Sequence, residues 1–377
     1  MSTTLHNDLG FDYVLVEDQN AFDDLIAQFS QSDIISLDTE FVRTRTYYAK
    51  LGLVQMYDGQ TLALVDPLKC EDLSGLWQLL ANENIIKLLH AGSEDLDIFA
   101  HYGQVEPKSI FDTQFAASIC GFDHGLGYAR LVEQCLGVVL DKGESRTDWM
   151  KRPLSQKQLD YAANDVFYLY SIFPILKQKL VELDRYEWVF EEGQIQTAGR
   201  TNEHDFDNAY LKVKNAFQLT PKQLALLKPL ASWRLNTAVK KDTAIGFILK
   251  DHILIALAKA WPKSLKDFSK IREMSNIERG RYGKQVLSCF QQADFDNLPE
   301  RIDAIAYRDD YKGSFKLVKK HLTQVAEQNT LPLEQIASKK MVHEYLGWLW
   351  KQPDRLPKIL TSWRGRLTEE SLSKLEV

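Results

Sequence analysis

Runs of apolar residues in the first half of the chain predict the alternating strands and helices of an α/β fold. The pattern predicts buried strands over residues 13–16, 34–41 and 85–90, and a hairpin of residues 51–57 and 61–65 turned by Asp58 and Gly59. Helical periodicity predicts helices over residues 18–30, 73–80, 93–101, 112–120, 127–136 and 155–173. The front half is therefore expected to be a mixed sheet of about five strands with helices packed on it.

The strand pattern disappears from about residue 205, and the remaining chain is predicted to be helical. A weak repeat aligns residues 248–254 with residues 336–342. It suggests two small helical domains of some 80 residues each, joined at the polar stretch 291–299. Chance similarity is the alternative for so loose a match.

Composition excludes several classes of protein. The chain has 377 residues, 45% of them hydrophobic and 26% charged, which is typical of soluble globular proteins with more than one domain. Intrinsic disorder, a collagen-like fibre and a small disulfide scaffold are excluded. The four cysteines form no Cys-x-x-Cys pair, so neither a zinc site nor a redox pair is indicated.

The net charge of −6 conceals two halves of opposite sign. Residues 1–200 carry 16 Lys and Arg against 31 Asp and Glu, whereas residues 201–377 carry 30 against 21. This split fits a cation-requiring catalytic part joined to an anion-binding part, with Lys240 and Lys241 among the candidate phosphate contacts. The alternative is two solvated domains of different isoelectric point.

Targeting signals are not evident in the sequence. Residues 1–10 have neither a basic segment nor an apolar stretch, and no apolar run approaches the roughly 18 residues of a membrane span. We therefore expect a cytoplasmic protein.

Two carboxylates lie at the end of a predicted buried strand. Asp38 and Glu40 are two residues apart, so both side chains point to the same face of the sheet. Two like charges so placed repel each other and resist desolvation unless a cation lies between them. A strand end emerging into water is the alternative, because acidic residues are harmless there.

Further candidates lie on predicted helices. Asp95 falls in a first helical turn, where the macrodipole favours acids in any case, and spacing alone does not choose among Glu94, Asp95 and Asp97. Tyr161 and Asp165 share one helix face, with two alanines between them that leave room for close approach. An ordinary solvated pair is the alternative for these two.

Taken in order along the chain, these motifs resemble the DEDD exonuclease superfamily. Its three motifs match residues 38–40, Asp95 and Tyr161-x-x-x-Asp165, and the tyrosine marks the DEDDy branch. The similarity is closer to the ribonuclease D family and covers roughly residues 12–190. It rests on five segments: residues 37–47, 90–99, 111–114, 146–154 and 161–169.

The resemblance implies an architecture. A ribonuclease H-like exonuclease domain with a mixed β-sheet is expected first, followed by two small all-α domains. The basic tail resembles one helicase-and-ribonuclease-D C-terminal (HRDC) domain over residues 209–291, followed by a more divergent copy. We therefore expect domains at residues 1–205, 206–292 and 293–377.

The resemblance also implies the chemistry: 3′–5′ exoribonuclease activity that releases nucleoside 5′-monophosphates. Asp38, Glu40, Asp95 and Asp165 would hold two Mg²⁺ or Mn²⁺ ions, for which carboxylate oxygens are suitable ligands, and Tyr161 would orient the attacking water. The expected partners are precursors of transfer RNA and other small structured RNAs, without a membrane. The expected oligomeric state is a monomer.

Four residues near these motifs are candidate substrate contacts. Arg43, Tyr47 and Arg152 could hold the scissile phosphate or stack on terminal bases, or they could be surface or packing residues. His90 could contact substrate, or it could be a satisfied, partly buried histidine. Two rival functions are a DNA 3′–5′ exonuclease of the same fold and a non-catalytic RNA-binding protein.

Overall fold

A seven-stranded mixed sheet dominates the front of the protein. The computed structural model describes residues 2–6, 10–141, 143–201, 204–302, 304–351 and 355–375. The strands are β1 (Ser2–His6), β2 (Asp12–Val16), β3 (Ile34–Val42), β4 (Lys50–Tyr57), β5 (Leu62–Val65), β6 (Ile86–Leu89) and β7 (Ile110–Asp112). Their order is β1-β2-β5-β4-β3-β6-β7.

The strands pair in both directions. β2 with β5, β3 with β6 and β6 with β7 are parallel, whereas β1 with β2, β4 with β5 and β3 with β4 are antiparallel. The predicted hairpin is therefore confirmed. The sheet has two strands more than expected: the edge strand β1 (STTLH) is mostly polar, and the edge strand β7 has only three residues, so neither gives a clear hydrophobic pattern.

The other regular elements of the described chain are helices. They are α1 (Gln19–Phe29), α2 (Ser74–Ala81), α3 (Ser93–Gly103), α4 (Thr113–Ile119), α5 (Tyr128–Leu136), α6 (Gln156–Glu182), α7 (Tyr186–Thr197), α8 (Pro221–Lys240), α9 (Ile245–Ile248), α10 (Asp251–Ala260), α11 (Asn276–Gln291), α12 (Tyr311–Gln328), α13 (Leu333–Ile336), α14 (Lys339–Lys351) and α15 (Ser362–Ser373). Short 3-10 helices lie at Ala209–Lys212, Ala216–Gln218, Leu265–Lys270, Ala304–Tyr307 and Lys358–Leu360. Among the described residues, none of the helices is both long and apolar enough to cross a membrane.

The chain divides into two compact units. Unit 1 contains Met1–Val42, Lys50–Asn202 and Lys312–Val377, and unit 2 contains Arg43–Ala49 and Glu203–Tyr311. The sheet and the last helices therefore belong to unit 1. The predicted fold class, an α/β part followed by helices, is confirmed, whereas the three predicted domain boundaries stay a prediction.

Helix α6 covers one face of the sheet in unit 1. The Ser155 hydroxyl and the Gln158 side chain form the predicted capping box at its start. Its Ala162, Ala163 and Val166 are fully buried in a hydrophobic cluster with residues of β4 and β5. On this face the Ser36 hydroxyl of β3 donates a 2.7 Å hydrogen bond to the Val166 carbonyl oxygen. These contacts fix α6 against β3.

The last helices of unit 1 pack on α7 and α4. The Trp363 ring of α15 is fully buried, stacks on Trp188 at 5.2 Å between centroids, and lies 5.6 Å from Phe115. Arg364 pairs with the Glu192 carboxylate, and both side chains are largely buried. Residues 355–375 are therefore integral to this unit's core.

Unit 2 is a helical bundle that includes a loop from between two strands. Helices α8, α10 and α11 surround a cluster of buried apolar side chains. The loop of residues 43–49 joins it because the Asp242 carboxylate accepts hydrogen bonds from the backbone N–H groups of Tyr47 (3.1 Å) and Tyr48 (3.0 Å). The Ala244 N–H also donates to the Arg45 carbonyl oxygen at 2.8 Å.

The weak repeat corresponds to a repeated pair of helices. Helix α9 ends at Ile248 and α10 begins at Asp251, while α13 ends at Ile336 and α14 begins at Lys339. The intervening Leu249 and Ala337 are both extended, with φ of −151° and −154°. The structure therefore supports an internal repeat rather than chance similarity.

Candidate active site

Three carboxylates converge at the carboxyl end of β3 in unit 1. Asp38 and Glu40 point to the face that α6 covers, and Asp165 on α6 meets them there. One carboxylate oxygen from each of the three lies within 4.8 Å of the others. A β-bulge directly after Glu40 shifts the register of β3 against β4, a local distortion that is common beside functional sites.

Asp95 adjoins this group from helix α3. It is buried in the first turn of α3, and its Oδ1 accepts a hydrogen bond from the Thr39 hydroxyl. Its oxygens lie outside the three-carboxylate group, but its charge raises the pKa of Asp38 and Glu40. Glu94 and Asp97 are exposed, and Asp97 pairs with Arg200, so Asp95 is the acid directed at the site.

Tyr161 extends the site along α6. Its hydroxyl donates a hydrogen bond to the Asp165 carboxylate one turn later, and its ring lies 6.3 Å from the buried ring of Trp149. Burial and the neighbouring carboxylates raise the Tyr161 pKa well above its ordinary value of 10. The phenol therefore stays protonated at neutral pH and acts as a hydrogen-bond donor.

Burial and mutual repulsion disfavour the charged carboxylates. Burial is the largest cause for each of them, and it raises the pKa of Glu40 to about 9, of Asp165 to about 8 and of Asp95 to about 6. The pKa of Asp38 is raised well above its ordinary value by burial and then by the charges of Asp95, Asp165 and Glu40. A bound cation would offset this repulsion.

The donor set fits a hard divalent cation. The three-carboxylate group supplies only oxygen ligands, with neither histidine nor cysteine among them. Such ligands suit Mg²⁺ or Mn²⁺ better than zinc. The four cysteines of the chain are free thiols, as the sequence led us to expect.

Comparison with known proteins gives the site its context. A 3′–5′ exonuclease family matches residues 13–181, an HRDC domain matches residues 223–289, and a ribonuclease D C-terminal HRDC domain matches residues 309–372. Ribonuclease D of Shewanella sp. (strain ANA-3) is 56% identical over 96% of this chain and 94% of that protein. The chain belongs to the ribonuclease D family.

Solved structures agree with this assignment. The crystal structure of Escherichia coli RNase D superposes with a TM-score of 0.92 at 36% identity, covering 96% of this chain and 98% of that one. The sequence of Escherichia coli (strain K12) ribonuclease D is 37% identical over 96% of this chain and 98% of that protein. The chain is therefore a metal-dependent 3′–5′ exoribonuclease with an RNA substrate, as predicted.

Arg152 is bound within the protein, and its role as a substrate contact stays a prediction. Its Nε and Nη2 bind both oxygens of the buried Asp66 carboxylate at 2.6 and 2.7 Å. Its Nη2 also donates to the Gly52 carbonyl oxygen and its Nη1 to that of Trp149. The guanidinium therefore secures the Trp149 loop to β4, and its nitrogens are engaged within the protein.

His90 likewise has partners for both ring nitrogens, and its role as a substrate contact stays a prediction. Nδ1 lies 3.0 Å from the Thr113 hydroxyl and Nε2 lies 3.2 Å from the Leu126 carbonyl oxygen. Burial lowers its pKa, so the neutral ring is favoured. The structure matches the alternative reading, a satisfied and partly buried histidine.

The other two candidate contacts belong to unit 2. The Arg43 side chain is exposed, which leaves its guanidinium accessible. The Tyr47 ring packs against the hydrophobic core of unit 2 and makes edge contacts with Tyr48 at 4.9 Å and His204 at 5.4 Å. These contacts favour a packing role for Tyr47.

Sequence reasoning missed two residues that support the site. Thr39 bonds Asp95, and the Tyr128 hydroxyl donates to the carbonyl oxygens of Asn164 and Asp165 at 2.9 and 2.6 Å. Thr39 stood inside the first motif, so the alternation of strand faces could have indicated a partner on the other side. No local pattern marks Tyr128, because its partners lie more than thirty residues away.

Proposed function

We propose that Asp38, Glu40, Asp95 and Asp165 hold two Mg²⁺ or Mn²⁺ ions that serve hydrolysis of RNA from its 3′ end into nucleoside 5′-monophosphates. One observation carries this proposal: the oxygens of Asp38, Glu40 and Asp165 lie within 4.8 Å of one another. Asp95, fixed by Thr39 beside this group, supplies the fourth carboxylate. Without a cation, the raised pKa values show that this grouping is electrostatically unfavourable.

Different side chains of the protein have different roles in the proposed reaction. Divalent ions, when bound, supply a hydroxide nucleophile near neutral pH and stabilise the leaving 3′-oxygen. The Tyr161 hydroxyl, which donates its one proton to the Asp165 carboxylate, orients the attacking water by accepting a hydrogen bond from it. The Asp165 carboxylate that Tyr161 contacts is fixed in turn through its backbone by Tyr128.

The substrates we propose are precursors of transfer RNA and other small structured RNAs. The Escherichia coli relative is described as an exoribonuclease involved in structured RNA processing, which supports this class. We further propose that the protein acts as a monomer in the cytoplasm, and that the exposed Arg43 contacts an RNA phosphate.

A labelled-RNA assay tests the reaction. The purified protein is incubated with 5′-labelled structured RNA in Mg²⁺, Mn²⁺ or EDTA, and with a DNA strand of the same sequence. We expect stepwise shortening from the 3′ end in either metal, none in EDTA, and slower loss of the DNA. Equal degradation of RNA and DNA would contradict the preference for RNA.

A matched pair of variants tests the site. Asp38→Asn should abolish turnover in Mg²⁺ while sparing RNA binding, because the amide keeps the shape of the side chain but cannot replace the anionic ligand. The control is Glu94→Gln, an equal change of charge at an exposed position next to Asp95. Normal digestion of RNA by the Asp38→Asn variant would contradict the proposed mechanism.

A further inference from the structure

Gln55, in the middle of β4, carries a buried amide without a partner. Its side chain is fully buried, and neither Nε2 nor Oε1 has a hydrogen-bond partner among the described residues. Burying an amide without compensating hydrogen bonds destabilises a fold, so such groups are rare and call for an explanation. The proposed metal site does not yet use this residue.

Strand register places Gln55 beside the metal site. It lies directly opposite Asp38 on β3, and it also pairs with Leu64 on β5. Residues opposite each other in neighbouring strands point to the same face, with Cβ atoms roughly 4.5–5.5 Å apart. The Gln55 side chain therefore lies on the same face as Asp38, next to it across the strand pair, although no hydrogen bond joins the two side chains.

The other neighbours on this face are apolar, except for Ser36, whose hydroxyl is already bonded to the Val166 carbonyl oxygen. Leu64, and Leu53 opposite Glu40, belong to the buried cluster with Ala162, Ala163 and Val166 of α6. Helix α6 also carries Tyr161 and Asp165. Among these neighbours in the strand register, Asp38 is the group with hydrogen-bonding capacity that faces the Gln55 amide.

We propose that Gln55 is a positioning residue for Asp38. When a divalent cation is bound, its Nε2–H donates to an Asp38 carboxylate oxygen and so fixes the carboxylate in the orientation that ligates the cation. Ligating carboxylates are commonly held by such outer hydrogen bonds. An uncharged amide suits this position because it orients the anion without adding to the repulsion among the carboxylates. This inference rests on the proposed metal site.

Metal affinity and the stability of the metal-free protein together test the inference. Protein stripped with EDTA is titrated with Mn²⁺ by calorimetry, and its Tm is measured without metal. Gln55→Leu should bind Mn²⁺ about 10-fold more weakly. Its metal-free Tm should equal or exceed that of the wild type, because the unpaired amide is gone.

Ser118→Ala is the matched control. Ser118 lies on α4, is fully buried, and its hydroxyl likewise has no hydrogen-bond partner among the described residues. Removing this hydroxyl should leave the Mn²⁺ affinity at the wild-type value. Gln55→Met, which keeps the length of the side chain, provides the same test if the leucine variant does not fold.

The outcomes separate this inference from the metal site itself. Wild-type Mn²⁺ affinity in Gln55→Leu would overturn the role of Gln55 and leave the metal site standing. If the metal-free Tm and the Mn²⁺ affinity of Gln55→Leu both fall, the inference is also overturned, because the amide would then affect metal binding only by stabilising the fold. Absence of Mn²⁺ binding by the wild type would overturn both.

Discussion

At the scale of single residues, the carboxylates at the end of β3 oppose the stability of the metal-free fold. Asp38, Glu40 and Asp165 crowd their charges where burial already disfavours them. A group of closely spaced carboxylates is stabilised by a bound cation and not by contacts among the carboxylates themselves. The geometry that supports catalysis therefore weakens the protein that lacks its metal.

Glu40→Gln should separate these two effects. Glu40, with its raised pKa, stays protonated in the metal-free fold at neutral pH but ionises in the unfolded chain, which disfavours folding. An isosteric amide removes this cost, so the metal-free variant should be more stable by about 1 kcal/mol, a rise in Tm of roughly 2–4 °C. Its Mn²⁺ affinity should fall. Calorimetry measures both, and Glu83→Gln, at an exposed position, is the control. A lower Tm in metal-free Glu40→Gln would argue against the repulsion.

Lys87 predicts a dependence of stability on pH. The side chain is fully buried on β6, its Nζ donates to the Asn82 carbonyl oxygen, and burial lowers its pKa from 10.5 to about 7. Between pH 7 and about 10 the unfolded chain holds this proton and the folded chain does not. The contribution of Lys87 to stability should therefore rise with pH across that window.

Urea denaturation between pH 6 and 9.5 measures this contribution. The free energy of unfolding of the wild type minus that of Lys87→Met should be constant below pH 7 and should increase above it. We use the difference between the two proteins because the site carboxylates, whose pKa values are raised, make the free energy of unfolding fall as the pH rises, which is the opposite direction. Lys108→Met, at an exposed position, should show no such trend. A flat difference for Lys87 would rule out a lowered pKa.

Residue types and spacing were enough to predict part of the site. Strand alternation placed Asp38 and Glu40 together, and helix spacing joined Tyr161 to Asp165. The choice of Asp95 needed the family resemblance, because its decisive partner Thr39 lies on another element. The intramolecular partners of Arg152 and His90, such as Asp66, could not be predicted for the same reason, because they are distant in sequence.

At the scale of elements, long periodic segments were predictable and their ends were not. The pattern predicted that α6 ends at residue 173, but the helix continues to Glu182 although Pro174 lacks a backbone donor. Leu176 and Leu180 on the continuation are fully buried, and their burial offsets the lost hydrogen bond. A pattern of hydrophobic residues along the chain carries no information about tertiary packing. For the same reason, it did not predict β1 and β7.

Close approach of β4 and the Trp149 loop predicts an intolerant glycine. A Cβ at Gly52 would lie 2.6 Å from the Trp149 carbonyl oxygen, a backbone atom that cannot rotate away. Gly52→Ala should therefore push the loop from the strand and destabilise the protein by about 1–3 kcal/mol. Because Trp149 packs near Tyr161, turnover should fall as well.

Thermal unfolding and the turnover assay measure the two effects of Gly52→Ala. Gly280→Ala is the control, since Gly280 lies in α11 with open space around the added carbon. That variant should gain up to about 1 kcal/mol from helix propensity. A Tm for Gly52→Ala equal to the wild type would show that the loop moves freely.

At the scale of the whole molecule, the two halves of the chain carry net charges of opposite sign, and lysines of the basic half are candidate contacts for RNA phosphates. Deleting residues 206–377 is a poor test, because it would remove the buried Trp363 and Arg364 from unit 1. Substituting exposed lysines leaves both cores intact. Lys240 and Lys241, at the end of α8 in unit 2, are both exposed.

The double variant Lys240→Gln/Lys241→Gln should weaken RNA binding and reduce its salt dependence. Each lost phosphate contact lowers the slope of log K against log salt by roughly 0.7 for a single strand, so the expected change is about 1.4. Binding titrations at several salt concentrations measure the slope. Lys69→Gln/Lys108→Gln, an equal loss of charge in the acidic half, is the control. An unchanged slope would exclude both lysines from RNA contact.

The capture of residues 43–49 by unit 2 has a topological consequence. The chain passes between the units after Val42, returns at Lys50, leaves again near residue 203 and returns at Lys312. Cutting the backbone once in any of these connections leaves the two bodies covalently tethered. A fragment beginning after residue 203 would also lack the segment whose N–H groups Asp242 binds. Neither unit can be exchanged between proteins as a single contiguous cassette.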